Sequence, residues 1–205
     1  MNNYMEDYYI DSLYGDNDTF EYKGIEVKIY RDEYPESPRE WDNLGTMVCW
    51  HNRYELGDKH DFDTPEDFEE WLKDNPALVL PLFLYDHSGI SISCKCTYPY
   101  NDIWDAGQVG YIYVTYKKLR KEFNYKNITK SRYLKAIKYL EGEVDTYNDY
   151  LTGEVYGYTA NCAICGDFVD SCSGFYGYDI KTNGILDSLG GFVCKCAELQ
   201  NTVRG

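Results

Sequence analysis

Residues 107–151 read GQVGYIYVTYKKLRKEFNYKNITKSRYLKAIKYLEGEVDTYNDYL and contain a strand pattern followed by a helix pattern. From Gly107 to Tyr116 most residues are β-branched or aromatic, which favours a strand. From Thr129 to Tyr150 and just beyond, apolar residues recur three or four positions apart, as they do on one face of an amphipathic helix. These residues are Tyr133, Ala136, Ile137, Leu140, Val144, Tyr147 and Leu151. Strands combined with a long helix that must bury one face predict an α+β fold.

Shorter predicted elements precede this segment. The predicted strands are 19–30 (a hairpin turning at Lys23-Gly24), 46–50, 78–85 and 90–94. Thr64 is a suitable N-cap and Pro65 a suitable first helical residue, so a helix should run to Asp74. A second short helix is expected at 117–123. We expect these strands and the strand at 107–116 to share one mainly antiparallel sheet with two or three covering helices.

The C-terminal quarter of the chain predicts a separate, smaller arrangement. Strands are expected at 155–159 and 167–178, and a last helix is expected over roughly 184–200. The resulting division is an acidic α+β core domain at 1–153 and a zinc-binding extension at 154–205, packed on the core as a metal-clamped hairpin.

Cysteine spacing is the strongest chemical signal in the sequence. Cys162-x-x-Cys165-Gly166 places two thiols three residues apart on a tight turn, which is half of a tetrahedral zinc site. Cys194 and Cys196 are expected to complete the site, with Cys172 as a reserve ligand. Such an all-cysteine site has no open coordination position, so its predicted role is structural and its predicted metal is Zn²⁺.

Composition favours the cytoplasm as the place where the protein acts. Eight cysteines in close pairs suggest metal ligation in a reducing compartment and not disulfides. The longest apolar run, Ala77–Tyr85, is too short for a bilayer crossing. The first ten residues carry Glu6 and Asp7 where a secretory signal would carry lysines. We therefore expect no membrane contact.

The remaining cysteines and the three histidines offer weaker interpretations. Cys94 and Cys96 with His51, His60 or His87 would make an unusual second metal site, and a pair of thiols at a strand end is the simpler interpretation. A catalytic dyad of Cys49 with His51 or His87 is geometrically feasible on a strand. Cys49 lies in an apolar run and lacks a glycine-rich oxyanion turn, so the sequence predicts that the protein is not an enzyme.

Charge is distributed unevenly along the chain. The net charge is −15, yet residues 117–138 hold nine bases and one acid. The bases are Lys117, Lys118, Arg120, Lys121, Lys126, Lys130, Arg132, Lys135 and Lys138. The segment is +8 and the remainder −23, which favours a protein partner with a basic surface and predicts no direct contact with nucleic acid. A charged helix exterior is the simpler interpretation of the basic segment.

The acidic surface that such a partner would meet is expected at residues 55–74, where nine acids accompany two bases. The predicted partner-binding residues are Asp61, Asp63, Glu66, Asp67, Glu69, Glu70 and Asp74. Carboxylates in this density would occupy a groove built for nucleic acid. A solvated helix face is the alternative interpretation.

Four longer motifs carry a resemblance to known proteins. They are SPREWDNLGTM at 37–47, YDHSGI at 85–90, WDAGQVG at 104–110 and YLTGEVYG at 150–157. With them the chain resembles, over roughly residues 30–180, a family of uncharacterised bacteriophage and mobile-element proteins. The CxxCG and CxC motifs depart from that pattern and are similar to those of zinc-containing anti-CRISPR proteins.

This resemblance implies a phage anti-defence protein that binds Cas9 stoichiometrically and impedes engagement of target DNA. Two alternatives remain open. One is an anti-defence enzyme that acts on a nucleotide signal or a host component through His51, His87 and nearby acids. The other is a zinc-containing phage adaptor with a different protein partner.

Overall fold

The computed structural model describes residues 18–86, 89–95, 106–192 and 196, which form eight strands and four α-helices. The strands are β1 (Thr19–Tyr22), β2 (Ile25–Arg31), β3 (Thr46–Cys49), β4 (Ala77–Asp86), β5 (Ile90–Ser93), β6 (Ala106–Thr115), β7 (Val155–Cys162) and β8 (Phe168–Tyr176). The helices are α1 (Pro65–Asp74), α2 (Tyr116–Glu122), α3 (Lys130–Thr152) and α4 (Ile185–Leu189), with a 3-10 turn at Pro38–Glu40. Within these ranges, none of the helices has the length and hydropathy that a bilayer crossing needs.

The strands form two four-stranded antiparallel sheets. The first sheet has the order β1-β2-β7-β8 and the second has the order β3-β6-β4-β5. Every neighbouring pair is antiparallel. The expectation of an α+β fold with mainly antiparallel pairing is therefore confirmed.

The expectation of one shared sheet was wrong for the β1–β2 hairpin. β2 pairs with β7 across 130 residues of sequence instead, with Val27 opposite Ala160 and Ile29 opposite Tyr158. These four side chains are buried together with Ile185 and Leu189 of α4. β2 buries alternate residues and the first four residues of β7 are all buried, patterns that many strand partners would satisfy, so the local pattern does not identify the partner.

The described chain divides into two compact units. A terminal unit contains residues 18–36 with 153–192 and 196, and a central unit contains residues 37–152. One boundary between the units falls at residue 153, and residues 18–36 belong with the C-terminal segment and not with residues 37–152. The reason is the β2–β7 ladder, which gives the first strands their backbone partners in the C-terminal hairpin.

The central unit has a sheet with a helix on each face. On one face, α3 buries Leu140 and Val144 against Ile112 of β6, as its apolar stripe predicts. On the other face, Phe68 of α1 packs against Tyr111 of β6, with ring centroids 5.4 Å apart. Successive side chains of β6 point to opposite faces of the sheet, so one strand serves both layers.

Local signals place the helix ends of the central unit. α1 begins after Thr64, whose hydroxyl accepts from the Asp67 N–H while the Asp67 carboxylate accepts from the Thr64 N–H. This capping box and Pro65 fix the predicted range Pro65–Asp74. α2 and α3 lie within two residues of their predicted bounds. The expected last helix ends early, at Leu189 before Gly190-Gly191, and most of residues 193–200 lie outside the described residues.

Candidate functional site

The turn between β7 and β8 brings two cysteines together. Cys162 ends β7, and the turn closes through two hydrogen bonds, from Cys162 N to Asp167 O (2.7 Å) and from Gly166 N to Cys162 O (2.9 Å). Gly166 has φ +76°, a left-handed conformation that glycine adopts without steric cost. The N–H of Ile164 also donates to Cys162 Sγ at 3.4 Å. A backbone donor aimed at the sulfur favours the thiolate, which is the form that binds a metal.

Cys196 joins these two residues from the C-terminal segment. The sulfur atoms of Cys162, Cys165 and Cys196 all lie within 4.8 Å of one another. Cys162 is buried, whereas Cys165 is exposed. Three soft thiol ligands in this arrangement can hold a metal ion.

The four predicted ligands therefore have different outcomes. The structure brings Cys162, Cys165 and Cys196 together, whereas Cys194 lies outside the described residues. Cys172 pairs with Tyr158 along the β7–β8 ladder and is exposed, and the described cluster does not include it. The reserve role predicted for Cys172 finds no support in this geometry.

The environment of the Cys49 thiol does not favour a nucleophile. Burial and, to a smaller extent, the nearby Asp58 carboxylate raise the pKa of Cys49 to about 12. His51 is exposed, and its Nδ1 accepts from the backbone N–H groups of Arg53 and Tyr54. His60 contacts the Cys49 carbonyl and not its sulfur, at 3.1 Å. His87 and Cys96, which the other proposed pairings require, lie outside the described residues.

Alkylation tests this assignment of Cys49. A shift of the thiol pKa from 9.0 to about 12 leaves about a thousandth of the ordinary thiolate population at neutral pH. In a short iodoacetamide pulse on the native protein, we expect Cys49 to react at least about a hundredfold more slowly than exposed Cys172. Peptide mass spectrometry measures both sites in one sample. Equal rates at the two residues would mean an activated Cys49 and would restore the dyad hypothesis.

The motif SPREWDNLGTM forms a buried ionic network around Arg39. The Arg39 guanidinium donates to both oxygens of Asp58, at 2.9 and 2.6 Å, and to Glu143 Oε2 at 3.3 Å. It also donates to the Gly45 carbonyl at 2.9 Å, and its side chain is only 5% exposed. Burial works to lower the pKa of Arg39, but the contacts with Asp58 and Glu143 raise it overall. The guanidinium therefore stays charged and bridges three segments of the central unit.

The two carboxylates of this network also hold backbone. Glu143 Oε1, from α3, accepts from Leu44 N (2.8 Å) and Gly45 N (3.1 Å), and Asp58 Oδ2 accepts from Met47 N at 2.8 Å. The network thus ties the 3-10 turn and the start of β3 to the long helix. Sequence reasoning missed it because the three charged residues are far apart in the chain.

The seven predicted partner-binding acids lie on or just before α1, and all are exposed. Asp67 is engaged in the capping box, Glu70 pairs with Lys73, and Glu69 accepts from the Tyr111 hydroxyl at 3.5 Å. Beneath them, Phe68 and Trp71 pack on Tyr113 with ring centroids 5.1 and 5.3 Å away. The carboxylates therefore project from a helix whose apolar side is anchored on the sheet.

Comparison of the chain with models of protein families, with curated proteins and with solved structures finds no match.

Proposed function

We propose that the protein is a zinc-containing binding protein that presents the acidic face of α1 to a basic surface on a protein partner. The exposed carboxylates on an anchored helix are the observation that carries this proposal. A helix fixed by capping and aromatic packing keeps its charges in place before binding, which limits the entropy lost on association. A chain of net charge −15 is also attracted to a basic partner from a distance.

We propose zinc as the metal of the cysteine cluster, because Zn²⁺ is commonly held by tetrahedral thiolate sites. Tetrahedral zinc–thiolate bonds of about 2.3 Å place sulfur atoms about 3.8 Å apart. The described sulfurs, all within 4.8 Å of one another, need only a small contraction to reach that spacing. Cys194 is the proposed fourth ligand because it lies two residues before Cys196. Four thiolates leave no open position, so the ion would stabilise the terminal unit and take no part in catalysis.

Cas9 is the proposed partner. The resemblance to phage proteins and to zinc-containing anti-CRISPR proteins supports this choice, and the acidic helix supplies charges that a nucleic-acid channel attracts. On this proposal the protein acts in the host cytoplasm at about one copy per Cas9 and impedes engagement of target DNA.

Charge reversal on α1 tests the acidic face. In a Glu69→Lys/Glu70→Lys variant, we expect association with Cas9 to slow about tenfold or more at low salt, because electrostatic steering is lost. The difference should shrink as ionic strength rises, since salt screens exposed charges. Surface plasmon resonance against a panel of Cas9 enzymes measures the rate, and a cleavage assay with equimolar protein measures inhibition.

The matched control is Glu21→Lys/Glu26→Lys on the β1–β2 hairpin. These two acids are exposed, face each other in the ladder and carry the same total charge change. If both variants slow association equally, net charge and not the α1 face governs binding. Inhibition far below equimolar amounts would instead favour the enzyme alternative, because only a catalyst turns over.

A further inference from the structure

The basic segment 117–138 carries nine lysines and arginines and a single acid. In the part of the chain that the structure describes, none of its nine lysines and arginines forms an ion pair with a carboxylate. Lys118 and Arg132 instead donate to the backbone carbonyls of Asn43 and Asn127. A chain with 35 acids offers many carboxylates, so this unpaired positive charge is available to an external anion.

The start of α3 is electrostatically unfavourable in isolation. Its first turn contains Lys130 and Arg132 and no acid, although the positive end of a helix dipole favours negative charge. α1 has the opposite arrangement, with Glu66 and Asp67 in its first turn. Cations at the start of α3 oppose helix stability, and a bound anion would offset that repulsion.

Tertiary structure gathers aromatic rings among these cations. Arg132 lies over the Tyr125 ring at 4.1 Å, and Lys135 lies 5.6 Å from the Tyr139 ring centre. Phe123 links the two rings, with centroids 5.3 Å from each of them. The linker between α2 and α3 supplies two of these rings and α3 supplies the third. Their irregular spacing in the sequence therefore conceals one continuous surface.

A cavity of about 540 Å³ lies at the start of α3. Its lining combines two tyrosines, two cations and two smaller side chains: Tyr116, Tyr133, Arg120, Lys130, Ile128 and Thr129. The volume is within the range of small-molecule sites. Burial, and then the neighbouring Tyr133, raises the pKa of Tyr116, which keeps its hydroxyl protonated as a hydrogen-bond donor.

We propose that single-stranded nucleic acid binds a basic–aromatic surface, with one nucleotide seated in the cavity. This surface comprises the cavity and the side chains of Phe123, Tyr125, Arg132, Lys135 and Tyr139. Arg120 and Lys130 contact the phosphate of that nucleotide, and the rings of Tyr116 and Tyr133 contact its base. Phosphates neutralise the unpaired cations. The bases of a single strand are unstacked, so their faces are exposed to aromatic side chains. A duplex keeps its bases stacked and would leave the tyrosines without a role. The prediction of no direct nucleic-acid contact relied on net charge, and this local surface replaces it.

α2 and the first half of α3 lie in the same unit as α1 but carry charge of the opposite sign. Because α1 and α3 pack on opposite faces of the β3-β6-β4-β5 sheet, the acidic face and the basic–aromatic surface are separate. The Glu69→Lys/Glu70→Lys variant should therefore retain oligonucleotide binding, so either proposal can fail without the other.

Fluorescence anisotropy with labelled oligodeoxythymidylate tests the proposal on the full chain. For Arg120→Ala/Lys130→Ala we expect affinity to fall about tenfold or more at low salt. The slope of log affinity against log salt should also become shallower by about 1.4, which is about 0.7 for each lost phosphate contact on a single strand. The matched control is Lys28→Ala/Lys73→Ala, which removes two exposed lysines outside the surface. It should leave the slope within about 0.3 of the native value.

The ring contribution has its own pair of variants. Tyr133→Leu keeps the apolar packing against the core but removes the ring, and we expect about tenfold weaker binding, whereas Tyr133→Phe should retain affinity. Circular dichroism establishes that each variant is folded. Absence of saturable binding at low salt would overturn the proposal, as would preference for duplex DNA. The proposal would also be overturned if the protein bound heparin as tightly as the oligonucleotide and Tyr133→Leu left heparin binding unchanged. That result would favour an acidic protein partner.

Discussion

A Cys165→Ser variant is expected to lose the proposed zinc ion and most of the stability of the terminal unit. Structural zinc contributes about 10–16 kcal/mol of apparent binding free energy in zinc-finger peptides, which exceeds the contribution of any single side chain. Cys165 is exposed and makes no core contact that serine would disturb. The metal content should fall from about one ion per chain to none, and hydrogen exchange should accelerate along β7 and β8.

The matched control for this variant is Cys172→Ser. Cys172 is also an exposed thiol of the β7–β8 hairpin but lies outside the cluster of three sulfurs. The Cys172→Ser variant should keep the metal content and the hydrogen-exchange rates of the native protein. A chelator added to the native protein should reproduce the Cys165→Ser result. Loss of metal with no change in hydrogen exchange would rule out a structural role for the ion.

An Arg39→Met variant is expected to lower the free energy of unfolding by about 3 kcal/mol. Removing one partner of a buried ion pair leaves the other charges uncompensated, which costs about 3–5 kcal/mol. The lower end applies because Asp58 and Glu143 retain 21% and 15% side-chain exposure. Urea denaturation followed by tryptophan fluorescence measures the change, since Trp50 and Trp71 lie in the same unit.

The pH dependence of Arg39→Met separates charge from packing. Burial raises the pKa of Glu143 and Arg39 partly offsets this, so removal of the arginine should raise that pKa further above its unfolded value. A carboxyl group whose pKa is raised in the folded state favours folding when it is protonated. The difference in unfolding free energy between the native protein and Arg39→Met should therefore narrow as the pH falls from about 7 towards about 5. Arg53→Met is the control, because the Arg53 side chain pairs with Asp86 while 70% exposed. This substitution should lower the free energy of unfolding by less than about 1 kcal/mol. If the loss of unfolding free energy in Arg39→Met did not depend on pH, it would be due to lost packing and not to uncompensated charge.

Local sequence signals predicted most elements of the central unit. Thr64 and Pro65 fixed the start of α1, and the apolar spacing of α3 predicted its buried residues Ala136, Leu140, Val144 and Tyr147. Caps and periodicity succeed because they depend on residues close in sequence. The β1–β2 hairpin was also predicted, but its sheet was not. Its partner β7 is chosen by long-range burial, which no local pattern specifies.

The candidate sites divide in the same way. By itself the sequence determined the CxxCG turn and the exposed acids of α1, because two ligands on one turn and charges on one helix are local facts. Only tertiary structure decided that Cys196 reaches the turn, that Arg39 meets Asp58 and Glu143, and that the tyrosines around α3 share one surface with its cations. Each of these contacts joins segments that the burial of apolar faces brings together, and that free energy depends on the whole fold.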